Sequence, residues 1–126
     1  MTDKDIVISS MNKTWILDLD GTLVKHNGYL TDGYDTLLAG AKEFMDGIPS
    51  EDMIIIITAR SLSCSDMTVK FLEKESIRYD KIIFDAPTGE RILINDRKPS
   101  GLAMAVAVNT ERDKFIKNKF IVDNNL

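Results

Sequence analysis

The stretch Trp15–Val24, with the sequence WILDLDGTLV, decides the fold of this chain. Its first three residues are large and apolar, which is typical of a strand covered on both faces. Asp18 and Asp20 follow, and Gly21 opens a turn at once. In open α/β sheets, ligands bind beyond the carboxyl ends of the strands. The stretch therefore predicts a buried strand that delivers two carboxylates to a binding site.

The carboxylates of Asp18 and Asp20 repel each other unless their charge is compensated. A divalent cation does so, because hard cations bind oxygen ligands. A carboxyl group that stays protonated is the alternative, and such a group can act as an acid. Both solutions fit the spacing, with Asp18 as metal ligand and nucleophile and Asp20 as general acid and base. An ordinary strand followed by an acidic Asp-Gly turn is the simpler interpretation.

Composition and charge limit the class of protein. The 126 residues are enough for one domain over 1–126, in which residues 1–12 form either a short extra strand or an ordered arm. The 16 basic and 20 acidic residues give a net charge of −4, which argues against a nucleic-acid-binding surface. A small phosphorylated substrate is still compatible, because local charge at a site can oppose the net charge.

Cysteine content and hydropathy predict the location. The single cysteine, Cys64, cannot form an internal disulfide and fits a reducing compartment. The N-terminal residues do not resemble a secretory signal, and the longest apolar run, 53–57, is too short to cross a bilayer. We therefore expect a cytoplasmic protein without a membrane partner.

Strand and helix patterns alternate along the chain. The predicted strands are 13–19, 53–58, 81–84, 91–95 and 103–108, and the predicted helices are 34–46, 65–76 and 111–118. Residues 22–35 are predicted to form a loop or small hairpin rather than a helix. Strands that alternate with helices favour a mostly parallel, Rossmann-like sheet.

Polar residues follow three of these predicted strands. They are Asp18 and Asp20, then Thr58 and Arg60, then Asn95 and Asp96. If the sheet is parallel, all three strand ends face one crevice. One polar strand end means little, but three predict a site.

The motif Asp18-Leu19-Asp20-Gly21-Thr22 resembles the first motif of the haloacid dehalogenase superfamily of phosphohydrolases. The resemblance implies a Rossmann-like three-layer α/β sandwich with a mostly parallel central sheet. The chain leaves 36 positions between Thr22 and Thr58 and 38 between Thr58 and Asp96. A lid domain needs roughly 50 residues or more, so we expect no cap and an open site.

The resemblance also implies roles for individual residues. Asp18 matches the nucleophile, and Asp20 matches the general acid/base whose backbone carbonyl binds the metal. Thr58 matches the hydroxyl that hydrogen-bonds the transferring phosphoryl group. Asp96 matches the acid that holds Mg²⁺, with Asn95 or water in place of the second carboxylate that relatives often carry.

The lysine of the third motif is ambiguous. No lysine stands just before the fourth predicted strand, so Lys98 is the first choice and Lys81 the second. A lysine in this role balances charge between the nucleophile and the phosphoryl oxygens.

Further residues are predicted to bind substrate. Arg60 is placed to hold a second anionic group, with a structural salt bridge as the alternative. His26 lies in the loop after the first motif, either over the site or simply in solvent. Thr22 and Ala59 are assigned to substrate binding with them.

The predicted function is a Mg²⁺-dependent phosphomonoester hydrolase that forms an aspartyl-phosphate and acts on a phosphorylated sugar or another small metabolite. A phosphotransferase or nucleic-acid end phosphatase is one alternative. A degenerate, non-catalytic member that binds a phosphoryl ligand or a partner is another, motivated by Asn95, Ser100 and the absent lysine. An open site also makes a homo-oligomer reasonable.

Overall fold

The computed structural model describes residues 5–126 and divides them into two compact units. The larger unit consists of Asn12–Pro87 and Thr110–Phe115. The described part of the smaller unit consists of residues 5–11, Thr88–Asn109 and Ile116–Leu126. The first four residues of the predicted N-terminal arm lie outside the described residues.

In residues 5–126, five strands and three α-helices make up the regular structure. The strands are β1 (Ile6–Ile8), β2 (Thr14–Asp18), β3 (Met53–Ile57), β4 (Lys81–Ile83) and β5 (Phe120–Val122). The helices are α1 (Gly28–Thr31), α2 (Ala41–Asp46) and α3 (Ser65–Lys74), and a 3₁₀ turn at Leu62–Cys64 leads into α3. No helix in residues 5–126 is long and apolar enough to cross a membrane.

The larger unit contains a parallel three-stranded sheet in the order β2-β3-β4. Its strands are joined through helical connections, as parallel neighbours require. The predicted α/β class with parallel strands is thereby confirmed, and it is consistent with a Rossmann-like fold. The predicted absence of a cap and the three-layer arrangement stay predictions.

The core of the larger unit lies against this sheet. Its fully buried residues come from β2, β3, α2, α3 and the turns that follow them: Leu19, Leu23, Val24, Ala41, Met45, Ile48, Ile54, Ile56, Leu72 and Ile77. Trp15, Phe44 and Phe115 pack beside it edge to face, with ring centroids 5.7 and 5.2 Å apart along the row. Such contacts stabilise aromatic pairs beyond the area that they bury.

Asp52 holds the amino-terminal ends of β2 and β3 together. Its carboxylate accepts hydrogen bonds from the backbone N–H of Lys13 at 3.0 Å and from the indole N–H of Trp15 at 2.9 Å. The N–H of Met53 donates to the carbonyl of Lys13 at 2.9 Å. These bonds set the register in which Thr14 pairs with Met53 and Asp18 with Ile57.

The helix predicted at 34–46 begins too early, because α2 begins only at Ala41 and the segment before it is not helical. Leu37 forms an antiparallel bridge with Val24, and the N–H of Leu38 donates to Leu23 at 2.9 Å. This pairing closes the predicted small hairpin, although its loop contains the unpredicted helical turn α1. Gly40, at φ +89°, then redirects the chain into α2. Leu37 is therefore apolar because it packs on the core, not because it is helical.

The smaller unit contains the parallel pair β1-β5, with Ile6 opposite Phe120. The strands predicted at 91–95 and 103–108, and the helix predicted at 111–118, are wrong: residues 84–119 form neither strand nor helix. The side chains of Ile92 and Ile94 are 83% and 90% exposed. An apolar run becomes a strand only when a neighbouring backbone pairs with it, and this one pairs with none in the described chain.

Candidate functional site

The site begins where β2 ends. Asp18 is the last residue of β2 and pairs with Ile57, the last residue of β3. Thr58 therefore follows the neighbouring strand at the same edge of the sheet as Asp18. This is the convergence that the sequence predicted for the first two strand ends, and parallel pairing is its cause.

The side chains at this edge differ in burial. Asp18 is partly exposed, and one of its oxygens accepts a hydrogen bond from the hydroxyl of Thr22 at 3.3 Å. Thr58 is 1% exposed, and its hydroxyl accepts from the backbone N–H of Arg60 at 3.1 Å. Ala59, which lies between Thr58 and Arg60 in the sequence, is exposed. Asp18 and Thr58 thus lie at one edge of the sheet, with Asp18 the more exposed of the two.

The turn after Asp20 is tightly closed. Three successive N–H groups, those of Thr22, Leu23 and Val24, donate to the carbonyl of Leu19 at 3.2, 2.9 and 3.1 Å. Gly21 has φ +83°, a conformation that only glycine adopts without strain. The turn therefore fixes the direction in which Asp20 points.

A segment from far along the chain covers this turn. The N–H of Asp113 donates to the carbonyl of Gly21 at 2.9 Å, and its carboxylate accepts from the N–H of His26 at 2.6 Å. A Cβ built on Gly21 would lie 3.3 Å from Cγ of Arg112 and 3.7 Å from Cβ of His26. The structure therefore brings His26 beside the first motif, as predicted for the loop, and adds Arg112, which sequence reasoning missed.

Arg60 forms the most extensive polar network of the site. Its Nε and one terminal nitrogen donate to both carboxylate oxygens of Asp20, each at 2.9 Å. Both terminal nitrogens donate to the carboxylate of Asp35, at 2.7 and 3.0 Å, and one also donates to the hydroxyl of Thr68 at 3.0 Å. The ring of Tyr29 lies 4.0 Å from the guanidinium carbon. The Arg60 side chain is only 1% exposed.

Neighbouring charge and burial shift the pKa of Arg60 in opposite directions. Burial alone would lower the pKa of Arg60, but hydrogen bonds and charge from Asp20 and Asp35 outweigh it and raise the pKa above the ordinary arginine value. Burial also raises the pKa of Tyr29, although the neighbouring guanidinium works against that shift. Arg60 is therefore a permanent cation, and Tyr29 is a neutral ring at neutral pH.

The remaining predicted site residues belong to other parts of the chain. Asn95, Asp96 and Lys98 are exposed residues of the smaller unit, and the Asn95 amide donates to the Asp96 carbonyl at 3.1 Å. Lys81 is exposed at the start of β4. Their proposed metal-binding and charge-balancing roles stay predictions.

A magnesium ion at this site would depend on few protein ligands. Within residues 5–126, no three His, Cys, Asp or Glu side chains form a group that could hold a metal ion. Asp18 offers a carboxylate and Asp20 a backbone carbonyl, while the Asp20 side chain is bound to Arg60. Mg²⁺ is usually bound by one or two carboxylates, with water and substrate phosphate completing its shell. A carboxylate and a backbone carbonyl are oxygen donors of the kind that Mg²⁺ takes in that form.

Sequence reasoning missed the partners of Arg60. Asp35, Thr68 and Tyr29 come from three separate segments, and none lies in a recognisable motif. The available signal was chemical: an arginine directly after a buried strand needs carboxylates close by. This signal predicts that carboxylates pair with Arg60, but it does not identify which of the 20 acidic residues they belong to.

Comparison with known proteins gives limited but specific likenesses. No protein-family model matches the chain, and no curated protein matches it. A chain in a solved structure of the Pnkp1/Rnl/Hen1 complex is 27% identical, with a TM-score of 0.52 over 72% of this chain and 33% of that one. A chain of the Pnkp1/Rnl/Hen1 RNA repair complex is 28% identical, with a TM-score of 0.51 over 71% and 30%. This chain thus spans about a third of the solved chains that it resembles.

Proposed function

We propose that the chain is a phosphomonoester hydrolase of the haloacid dehalogenase type, with Asp18 as nucleophile. The observation that carries the proposal is the pairing of Asp18 with Ile57 in parallel strands, because it puts the Asp18 carboxylate and Thr58 at one sheet edge. The tight turn at Gly21 adds Asp20 to the same edge. Asp18 and Asp20 could then act as nucleophile and as acid/base in ester cleavage.

The proposed reaction has two steps. A carboxylate oxygen of Asp18 attacks phosphorus, the ester P–O bond breaks, and the leaving oxygen takes a proton from Asp20. Water then attacks the aspartyl-phosphate and gives a proton back to Asp20. The P–O bond to Asp18 breaks, which releases inorganic phosphate and restores both side chains.

Other groups would position the phosphoryl group. Thr22 orients the Asp18 carboxylate through its 3.3 Å hydrogen bond, and the Thr58 hydroxyl is available as a donor to phosphate. Mg²⁺ held by Asp18 and the carbonyl of Asp20 would neutralise charge on the transferring group. The charge-balancing role of Lys98 or Lys81 and the metal-binding role of Asp96 and Asn95 rest on the sequence resemblance alone.

The first candidate substrate is a phosphorylated sugar or another small metabolite. A phosphorylated nucleic-acid end is the second, and it is favoured by the likeness to chains from an RNA repair complex. The net charge of −4 works against a long polyanion. Exposed Arg112, beside Gly21, is a cation that either substrate could use.

The experiment is hydrolysis of p-nitrophenyl phosphate with and without Mg²⁺ by the wild-type protein and Asp18→Asn. We expect Mg²⁺-dependent turnover that falls by at least about 100-fold in the variant. Asp46→Asn is the matched control, because Asp46 is an exposed carboxylate that forms an ion pair with Lys42 one turn earlier on α2. It should leave turnover unchanged.

Two results would contradict the proposal. One is turnover that survives in Asp18→Asn. The other is a folded wild-type protein that neither hydrolyses aryl phosphate nor binds Mg²⁺, which would favour the degenerate, ligand-binding alternative.

The substrate is then decided by competition between classes. Sugar phosphates are compared with RNA oligonucleotides that carry a 5′- or a 3′-phosphate. Preference for RNA with a steep loss of affinity at higher salt would support the nucleic-acid alternative, because phosphate contacts release counterions. Equal rates at all salt concentrations would favour the small substrate.

A further inference from the structure

The guanidinium of Arg60 has five N–H donors, and all five are used within the protein. Two go to Asp20, two to Asp35 and one to Thr68. An arginine that binds a substrate anion needs at least one donor that faces the substrate. Arg60 could offer one only by giving up a partner that is already bound.

We propose that Arg60 is a positioning residue for Asp20, held in place by Asp35, Thr68 and Tyr29, and not a binding residue for a substrate anion. The inference rests on the proposed function, because it assigns Asp20 the proton transfer. It replaces the substrate-binding role that the sequence suggested for Arg60. It also gives a role to three residues that no motif contains.

The contact with Asp20 fixes both the position and the plane of its carboxylate. A bidentate arginine–carboxylate pair has two parallel hydrogen bonds, so the carboxylate cannot rotate about its Cβ–Cγ bond without losing one. Each Asp20 oxygen accepts one of these bonds at 2.9 Å, which leaves each with a further lone-pair site for a proton. Asp20 is thus oriented without being blocked.

The rest of the network fixes Arg60 itself. Asp35 is buried, with its side chain only 2% exposed, and binds both terminal nitrogens from the side away from solvent. The Thr68 hydroxyl accepts from Arg60 and donates to the carbonyl of Cys64 at 2.8 Å, so α3 anchors it. Tyr29 of α1 covers the guanidinium face at 4.0 Å. A guanidinium group that is held by three separate segments of the chain cannot move toward a substrate anion.

The carboxylates on the two sides of Arg60 differ in exposure. The side chains of Asp35 and Arg60 are 2% and 1% exposed, and that of Asp20 is 17% exposed. Of the two carboxylates, Asp20 therefore reaches solvent, and it lies two residues from Asp18. The arrangement suits a rigid support whose last member meets the substrate.

The leaving group of the substrate provides the test. p-Nitrophenolate leaves without help from an acid, whereas an alkoxide must be protonated as it leaves. If Arg60 positions the acid, its loss slows alkyl phosphate hydrolysis much more than p-nitrophenyl phosphate hydrolysis. A general loss of structure would slow both equally.

The variant is Arg60→Met/Asp35→Asn, because replacing Arg60 alone leaves two carboxylates without their cation and endangers folding. The comparison uses kcat/KM, because this quantity reports formation of the aspartyl-phosphate and not its later hydrolysis, which is the same for both substrates. We expect kcat/KM for an alkyl phosphate to fall by roughly 100-fold and kcat/KM for p-nitrophenyl phosphate by less than about threefold. Thr68→Val is the second variant. It keeps every charge, and it should shift the same ratio in the same direction by a smaller factor.

The matched control is Lys42→Met/Asp46→Asn. It likewise replaces a cation by Met and an Asp by Asn, at an ion pair of α2 whose side chains are 36% and 56% exposed. The ratio of the two rates should equal that of the wild type. In addition, Asp20→Asn placed on Arg60→Met/Asp35→Asn should cause little further loss, since both act on one proton transfer.

Each outcome either supports or overturns the positioning role of Arg60. Equal loss on both substrates in the folded double variant and in Thr68→Val overturns the positioning role. A raised KM with an unchanged kcat would mean that Arg60 binds a substrate anion after all. If the wild type hydrolyses no phosphate ester, the proposed function fails and this inference falls with it; turnover that depends on Asp18 with an unchanged ratio rejects this inference alone.

Discussion

At the scale of single residues, the geometry of Arg60 separates two roles that its sequence position left open. A TAR sequence after a buried strand fits substrate binding and a structural salt bridge equally well. Burial of 99% of the side chain and use of all five donors favour the second. The sequence could predict Asp18, Asp20 and Thr58 as a group because each follows an apolar strand directly. It could not predict Asp35, since that residue follows no strand and is identified only by its partner.

Removing the charge of Arg60 alone should strongly destabilise the protein. Arg60→Met would leave Asp20 and the buried Asp35 without a cation, and we expect a loss of about 3–5 kcal/mol in the free energy of unfolding. Urea denaturation measures it. Arg60→Met/Asp35→Asn should recover part of the loss, and Lys42→Met, at the exposed pair Lys42–Asp46 of α2, should lose no more than about 1 kcal/mol. Equal losses for Arg60→Met and Lys42→Met would contradict the buried network.

Tyr29 gives the protein a dependence of stability on alkaline pH. Its pKa is raised in the folded state by burial, so the unfolded chain loses the phenol proton first as the pH rises above about 10. The unfolded state then binds fewer protons than the folded state, and the free energy of unfolding falls with pH. Below that range both states are protonated, so the stability that this group later costs is fully retained and does not change with pH. We expect Tyr29→Phe to make the decline above about pH 10 shallower.

Lys25 contributes to the same decline, because its hydrogen bond with Asp32 raises its pKa and the stabilisation is lost at high pH. The comparison is therefore between wild type and Tyr29→Phe in the same buffers, by thermal melting from pH 8 to 11. Tyr34→Phe, which changes an exposed ring, serves as the control. Identical profiles for wild type and Tyr29→Phe would contradict the assignment.

At the scale of elements, turns determine where a helix or strand begins, and the apolar pattern alone does not predict this. The strands β2, β3 and β4 were predicted to within one or two residues because their apolar runs are short and continuous. Helix α2 was predicted seven residues too early, at 34 instead of 41, because Leu37 and Leu38 fit helical spacing while pairing as extended chain. A local pattern reports that a residue is buried, and long-range pairing decides the backbone shape.

Gly21 and Gly33 offer a matched pair for testing the turn after Asp20. Both have φ +83°, but a Cβ on Gly21 would lie 3.3 Å from Arg112, whereas a Cβ on Gly33 would meet nothing within 4 Å. Gly33→Ala should cost about 1–2 kcal/mol through backbone strain alone. Gly21→Ala should cost more by up to about 1 kcal/mol and should also reduce turnover, because it displaces Asp20. Equal effects on stability and activity would show that Arg112 does not pack on the turn.

The Asp52 contacts predict a large effect at the other end of the sheet. Asp52→Ala leaves the N–H groups of Lys13 and Trp15 without their acceptor, and we expect a loss of about 1–3 kcal/mol in urea denaturation. Asp46→Ala removes an equally charged but exposed carboxylate and should cost no more than about 0.5 kcal/mol. Similar values for the two would mean that Asp52 does not hold β2 to β3.

At the scale of the whole molecule, regular structure is unevenly distributed. Residues 84–119 form neither strand nor helix, although the sequence ILI at 92–94 is an apolar run like that of β3. The sequence correctly predicted the α/β class, because β2, β3 and the helices between them have clear patterns. It failed for 91–108, where the outcome depends on whether a partner strand is present rather than on the run itself.

Limited proteolysis should reveal this difference. Trypsin should cleave first after Arg91 and Arg97, whose backbone lies in no strand or helix, and much more slowly after Lys70, which is exposed but lies within α3. Mass spectrometry of the early fragments identifies the order. Cleavage after Lys70 at the same rate would contradict it.

The pairing of β1 with β5 has a consequence for synthesis on the ribosome. Ile6 and Phe120 are opposite each other, so 120 − 6 = 114 residues separate the two halves of this sheet. At ordinary translation rates, roughly 6 to 23 seconds pass between the synthesis of the two residues. The segment 12–87 is made entirely within that interval, and its sheet and core can form while the carboxyl-terminal strand is still to be made. β1 cannot pair until β5 has been made, so its edge is the last to be hydrogen-bonded in the nascent chain. This edge is therefore the natural place for a chaperone to bind.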